Sequence, residues 1–597
     1  MARSTGCRPH QRATSGLTLG LSLLTAGTVA GAELRVGTGT GCTYASIAAA
    51  VTAAAANGTT SDLIMVKTSP SQTIAAPITI DLNVAGTVEI VGGFGTCTDA
   101  LPIAGQRTTV VLPSSAAFTV QNAGASNRTF TLQQVALIGG ANPGRLVDVS
   151  GRVLVNIDDA LLSNGKGTDG GNIRMAGANV TLLLSNGAVL YSGDATGNGG
   201  GLHCSGGGTI GLIDGAISDN HADGSGGGAY LDGCYMNVFA GGSNVGCPSA
   251  SNRGITCNVA GTGAGDGSGG GVYASNGAVV NFLGSSSAPA SLTLNRAEHG
   301  GGLFLTGAAS EAEFRDAEIV ENAGLLGGGG VAADNGAQLT IRASVANCAQ
   351  PFGCSSVVDN YTATAVGETS PGGGVWVTGG ADASIRRTTF RNNSAPGSGA
   401  ALAVQGAGST VLFEGNVVFA HPSRPFYVSA GGNLTAAFVT AWGNTVGSTG
   451  TFTAAGAGSN IAVYSSATLD TQTFTTLSGG ATYGGDCIVT RSLTNFPAPP
   501  DPGSFELVAS EAAVLAAPAS GKPHLRSDSP AIDYCDTFRY TPIDSDIDGE
   551  VRGFDIAAIP NAPFGPYDLG ADEWKPMFLG DFEPGTCAQW SSNTGGC

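Results

Sequence analysis

Between about residues 150 and 410 the apolar positions come in short bursts separated by glycine. Glycine triplets stand at Gly199–Gly201, Gly226–Gly228, Gly269–Gly271, Gly300–Gly302, Gly327–Gly330 and Gly372–Gly374. Each is followed by an apolar segment, as in Gly-Leu-Phe-Leu at 302–305 and Gly-Val-Trp-Val at 374–377. Asn-Gly-Ala or Gly-Gly-Ala turns then lead into alternating segments at Ala278–Leu283, Ala337–Ile341 and Ala381–Ile385. A third segment, such as Ala317–Val320, closes the unit. An asparagine precedes the glycines by five or six positions at Asn164, Asn220, Asn295 and Asn322. Alternation over four to six residues predicts strands, and a fixed unit that recurs predicts a solenoid. Three strands per coil would pair with their counterparts above and below, because no coil buries its apolar face alone. The repeated Gly and Asn therefore read as folding signals: glycine for turns at positive φ, asparagine for a stacked hydrogen-bonded ladder.

Two units are longer than the rest. The extra residues, Gly242–Cys257 and Ser344–Cys354, both fall between the second and third segments. Insertions at one turn emerge from one side of a solenoid, where ligands often bind. Upstream, Tyr44–Ala56 is alanine-rich with Ile47 and Val51 four apart. That spacing predicts a short helix over the open first coil, where it would cover unpaired strand edges.

Composition supports an all-β solenoid. Glycine fills 96 of 597 positions and charged residues only 12%, which leaves few straight-chain helix formers. Arg3, Arg8 and Arg12 precede an apolar run, Leu17–Ala30, with small residues at Ala30-Gly31-Ala32. Residues 1–32 read as a signal peptide, which places the mature chain outside the cell or on its surface. Elsewhere no stretch reaches the length of a spanning helix. Without that segment the acidic excess deepens from the full chain's net charge of −19, which disfavours nucleic acid and anionic membranes as partners. Twelve cysteines remain after Cys7, and export makes disulfides their expected state. The sequence-local couples are Cys42 with Cys97, Cys204 with Cys234, Cys247 with Cys257, Cys348 with Cys354, Cys487 with Cys535, and Cys587 with Cys597. Spacing alone leaves the connectivity open.

The Asn and Gly-Gly-Gly units resemble those of polymorphic outer-membrane proteins, within the right-handed parallel β-helix proteins of the pectin-lyase-like fold. The resemblance spans roughly residues 33–485: an N-terminal cap with the first coils over 33–150, then clear repeats over 151–485. From about Pro500 the triplets cease and acids concentrate. Ser529-Pro530-Ala531-Ile532-Asp533, Asp548-Gly549-Glu550 with Arg552, and Tyr567-Asp568-Leu569-Gly570-Ala571 near Glu573 resemble a choice-of-anchor Q domain over 500–574. That resemblance implies a small C-terminal cap on an exported surface protein. A tail, 575–597, carries Gly580-Asp581-Phe582-Glu583 and is similar to short Asp-Gly-Phe-Glu tails of exported bacterial proteins, with its first two residues reversed.

Within the C-terminal module, Asp544, Asp546, Asp548, Glu550 and Asp555 place oxygens at calcium-loop spacing, with Gly549 for the sharp turn. Asp555 stands where Glu is usual, and an ordinary acidic turn reads equally well. Calcium is the one cofactor the sequence suggests. Catalytic signals are sparse. A uronate lyase needs cations, yet the mature chain has only Lys67, Lys166, Lys522 and Lys575 as lysines. Asp158 and Asp159 are adjacent and so diverge on a strand, while Asp219, His221 and Asp223 sit in a turn. Arg386, Arg387 and Arg391 form the one basic cluster of the repeat. The leading expectation is a non-catalytic adhesion or carbohydrate-binding scaffold with a polysaccharide or cell-surface ligand. The alternative is a polysaccharide lyase or glycoside hydrolase working beside the two insertions.

Overall fold

The computed structural model describes residues 31–575 apart from 113–117, 142, 240–245, 248, 250–251, 262–266, 286, 345–354, 364–369, 397–398, 446–449, 472, 493–504, 537–539, 542–544, 557–560 and 562–564. The signal-like segment before Gly31, Asp544, and the couples Cys348 with Cys354 and Cys587 with Cys597 lie outside the described residues.

One coil shows how the repeat folds. Val153–Asp158 and Leu161–Ser163 lie in a long sheet, A; Lys166–Gly167 lies in a narrow sheet, C; Ile173–Ala176 lies in sheet B. Each strand pairs in parallel with the same strand of the next coil, Val153 with Val180, Leu161 with Val189, Lys166 with Asp194 and Ile173 with Leu202. Sheet B stacks 14 strands and sheet C 7. The protein is an all-β, right-handed parallel β-helix. Where three strands per coil were expected, coils between Lys166 and Thr362 carry a fourth, the two- to five-residue pairings of sheet C. These segments are too short and polar for their alternation to register in the sequence.

The glycine triplet joins sheet C to sheet B. A Cβ on Gly200 would fall 2.3 Å from His221 O and 2.4 Å from Gly227 O, so the backbones of adjacent coils touch where a side chain would block stacking. Inside, apolar residues of all three strands form one continuous core, with stacked pairs such as Phe282 on Phe314 at 4.6 Å.

The asparagine ladder forms at the turn after the third strand. Both the backbone N–H and the side-chain amide of Asn220 donate to Asn258 Oδ1, at 3.0 and 2.9 Å. The same double bond links Asn258 to Asn295, Asn295 to Asn322, Asn322 to Asn360 and Asn360 to Asn393. Asn164 departs from expectation: it occupies the preceding left-handed position, φ 58°, and Asn172 fills the ladder below Asn220. Further along, His421 stands in the ladder with both ring nitrogens buried and unbonded, and Asp470 ends it.

At the N-terminus the helix Ile47–Ala56 forms as its spacing predicts. Ser46 Oγ accepts from Ala49 N, and Ile47, Ala50, Val51 and Ala54 are buried. Cys42 and Cys97 bond beside it. At the other end Phe505–Leu507 adds a last strand to sheet A. The described residues of 508–575 then turn back as a largely irregular flap along the outer side of the last coils of sheet A, so this cap covers a flank. Its Val514, Leu515, Leu525, Ile532 and Leu569 pack on Val417, Phe419, Trp442, Leu469 and Val489. Cys487–Cys535 fastens it, as Cys204–Cys234 and Cys247–Cys257 fasten coils.

Candidate functional site: an aromatic ridge on sheet B

The sheet B strands that follow a glycine triplet place their second residue outward, and the equivalent positions of neighbouring strands align with them. In-register stacking therefore builds one row: Arg174, His203, Tyr230, Tyr273, Phe304, Ala332, Trp376, Ala403, Tyr427. From His203 to Tyr427 the row climbs seven coil steps, roughly 34 Å at about 4.8 Å each. His203, Tyr230, Tyr273 and Phe304 stack nearly parallel, with centroids 5.1, 4.9 and 5.6 Å apart. His299, at the end of a sheet C strand, bridges the gap over Ala332 to Trp376, 5.7 Å away. A Cβ on Gly327 would come within 2.7 Å of the Trp376 ring, so that glycine is the seat of the indole. Trp376 Nε1 donates to Gln405 Oε1 at 2.9 Å, and Arg424 lies over Tyr427 at 5.2 Å.

The aromatic members of the row are half-buried; the Tyr230 and Tyr273 hydroxyls both hydrogen-bond with Ser275, and Nδ1 of His203 and of His299 is buried. Burial holds His203 and His299 below the usual histidine range, so both are neutral at pH 7. At the lower end Arg174 and Arg145 both bind Asp148, at 2.9 and 3.0 Å. The ridge is thus an apolar, hydrogen-bonding strip without a free cationic cluster. The sequence carried its signal at the second position after each triplet, but only the register shows that these side chains share one face.

Sheet A offers a different surface. A shallow groove of about 370 Å³ is lined by Asn281, Glu311, Glu313, Gln338, Arg342 and Arg386, among others. Its charges are largely matched: Arg342 binds Glu313 at 2.7 Å and Arg386 lies 3.4 Å from buried Glu414. Both insertions leave from the adjoining bend, after Phe239 and after Arg342; part of the first and all of the second but Ser344 lie outside the described residues.

The other candidate groups disperse. Asp159 takes a left-handed bend and pairs with Arg107 at 2.8 Å, while Asp158 accepts from Asn186. His221 Nδ1 meets Asp194 at 3.0 Å and its Nε2 lies 3.9 Å from Asp223, whereas Asp219 accepts from Ser192. Lys166 completes that cluster at 2.9 Å from Asp194. Two of its members come from neighbouring coils and so escaped the sequence reading. Burial raises the Asp194 carboxyl, but hydrogen bonds from His221 and Lys166 prevail and hold it below its ordinary value. Of the basic cluster, Arg391 covers the Phe419 ring at 5.6 Å and Arg387 faces Asp546 and Asp548 of the flap.

Of the calcium-spaced acids among the described residues, Asp546, Asp548 and Glu550 share one turn but face different partners. Asp546 turns inward, with Oδ1 accepting from Asp548 N and Glu550 N and Oδ2 from Glu573 N. Asp548 faces His524, Glu550 lies 3.6 Å from Lys575, and Asp555 lies beside Asp533. Deeper in the flap, Arg552 is fully enclosed by Glu573, Asp546, Asp572 and Asp568 and lies 4.4 Å over the Phe438 ring.

No helix among the described residues is long and apolar enough to cross a membrane. No curated protein matches the chain. Residues 244–469, just over a third of the chain, match the family described as the right handed beta helix region. That match and the parallel sheets agree on one architecture, a right-handed β-helix built of repeated coils.

Proposed function

We propose that this β-helix is a non-catalytic binding scaffold, exported or held at the cell surface, whose sheet B ridge takes up a neutral polysaccharide. The observation that carries this reading is the half-exposed row His203, Tyr230, Tyr273, Phe304 and Trp376. Aromatic side chains give large, rigid, amphipathic contact at low entropic cost, and the row's length suits a polymer. Its neutral histidines and the acidic chain disfavour polyanions such as polyuronates. The disulfides support an oxidising location. Affinity electrophoresis in gels containing soluble glucan, mannan, xylan or polygalacturonate tests the reading. Retardation by a neutral polymer, lost in Trp376→Ala with Tyr273→Ala, is the expected result; equal mobility in every gel would overturn it.

The sheet A groove favours a second reading, polysaccharide cleavage by Glu311 or Glu313. Release of new reducing ends or unsaturated products from the same polymers, abolished by Glu311→Gln or Glu313→Gln, would select it instead.

A further inference from the structure

We infer that His524, Asp548 and Asp572 form a binding site for one divalent transition cation, zinc or manganese, on the C-terminal flap. One ligand atom from each of the three lies within 4.8 Å of the others. His524 Nδ1 stands 3.4 Å from both Asp548 Oδ2 and Asp572 Oδ1. The donors come from three separate segments of the flap. One imidazole nitrogen with two carboxylates is a transition-metal set, whereas calcium takes oxygens alone.

Bonds from outside the trio hold these side chains in place, as supporting contacts do around metal ligands. Asp572, 8% exposed, is oriented by Leu525 N, which donates to its Oδ2 at 2.7 Å. Asp546 orders the turn that carries Asp548 and ties it to Glu573, next to Asp572. The flap also has a structural use for such an ion. It contains little regular structure, and small units of that kind depend on staples. Cys487–Cys535 ties one part to the coils, and a cation would tie 524, 548 and 572 together. The cluster around His221 is arranged differently: Asp194 and Asp223 meet opposite ring nitrogens, and Lys166 already holds Asp194.

The test is calorimetric titration of the full chain, stripped with chelator, using Zn²⁺, Mn²⁺ and Ca²⁺ separately. Saturable binding of one Zn²⁺ or Mn²⁺ per chain is expected, with weak or absent Ca²⁺ binding and a raised melting temperature. His524→Ala and Asp548→Asn should each weaken binding by roughly 10- to 100-fold, and His221→Ala should leave it unchanged. Both mutated side chains are partly exposed, so circular dichroism should show the β-helix intact in each. Absence of saturable binding, retention of it in both flap variants, or its loss in His221→Ala would overturn the proposal.

Discussion

Two outward aromatic stacks sit on this solenoid, and they have met different fates. On sheet A, Phe419 and Trp442 stack at 4.9 Å and lie under the flap, 7% and 4% exposed. Trp442 Nε1 donates to Pro518 O, and Gly521 approaches the Phe419 ring. On sheet B, the ridge from His203 to Trp376 is built by the same register rule, but among the described residues its rings stay half-exposed. Large apolar groups facing outward need a partner or remain partly wet. The chain supplies the partner for the first stack, and the proposed polysaccharide would supply it for the second.

The largest expected effect breaks the covered stack. Trp442→Ala removes a buried indole from beneath the flap and should destabilise flap docking by about 3–5 kcal/mol. Denaturant unfolding should then show a separate early transition, and limited proteolysis should cut within 508–575 first. Arg552→Met comes next. It strands the buried acids Glu573, Asp546 and Asp568 and should cost the flap about 3 kcal/mol. An undiminished flap transition in this variant would mean that those acids are neutral in the folded protein.

A pH series sharpens the contrast. Burial pushes Asp533 and Asp548 up to about 6 and raises Asp546. The folded flap therefore holds protons that the unfolded chain has released, so its stability should fall as pH rises from about 4 through about 6. On the ridge, His203 and His299 titrate below their unfolded value. Those strands should gain stability as pH rises through about 6.5. Hydrogen exchange in chelator, corrected for intrinsic rates, should show the two regions moving in opposite directions; parallel movement would contradict the assignment.

The smallest effect concerns the ladder beneath both stacks. Burial holds His421 down to about 3, so the ring is neutral and unbonded in a row of amides. His421→Asn should restore a ladder bond and raise stability by about 1 kcal/mol, read as a shift in the unfolding midpoint. A loss would show that the imidazole packs better than it bonds.

What the sequence revealed follows from repetition. Gly200 and its equivalents, and Asn220, Asn295 and Asn322, recur because every coil meets the same backbone contact and the same buried turn. The helix at Ile47 was legible from local spacing, and four of the sequence-local cysteine couples are bonded in the structure. Asn164 misled because the left-handed position beside the ladder also accepts asparagine. The ridge and the His524, Asp548 and Asp572 cluster were hidden for a different reason. They depend on which residues lie side by side after stacking, and insertions make the intervals from Tyr230 to Tyr273 and from Ala332 to Trp376 longer than the others. Asp546, which stands at calcium-loop spacing in the sequence, accepts from three backbone amides.

The most direct test is a paired measurement on the double variant Tyr273→Ala with Trp376→Ala. Binding to a neutral polysaccharide and the melting temperature should be recorded together. A half-exposed binding ridge requires binding to be lost while the melting temperature shifts far less than in Trp442→Ala. Unchanged binding, or a collapse in stability matching that of Trp442→Ala, would show that the sheet B stack is part of the scaffold and not its binding surface.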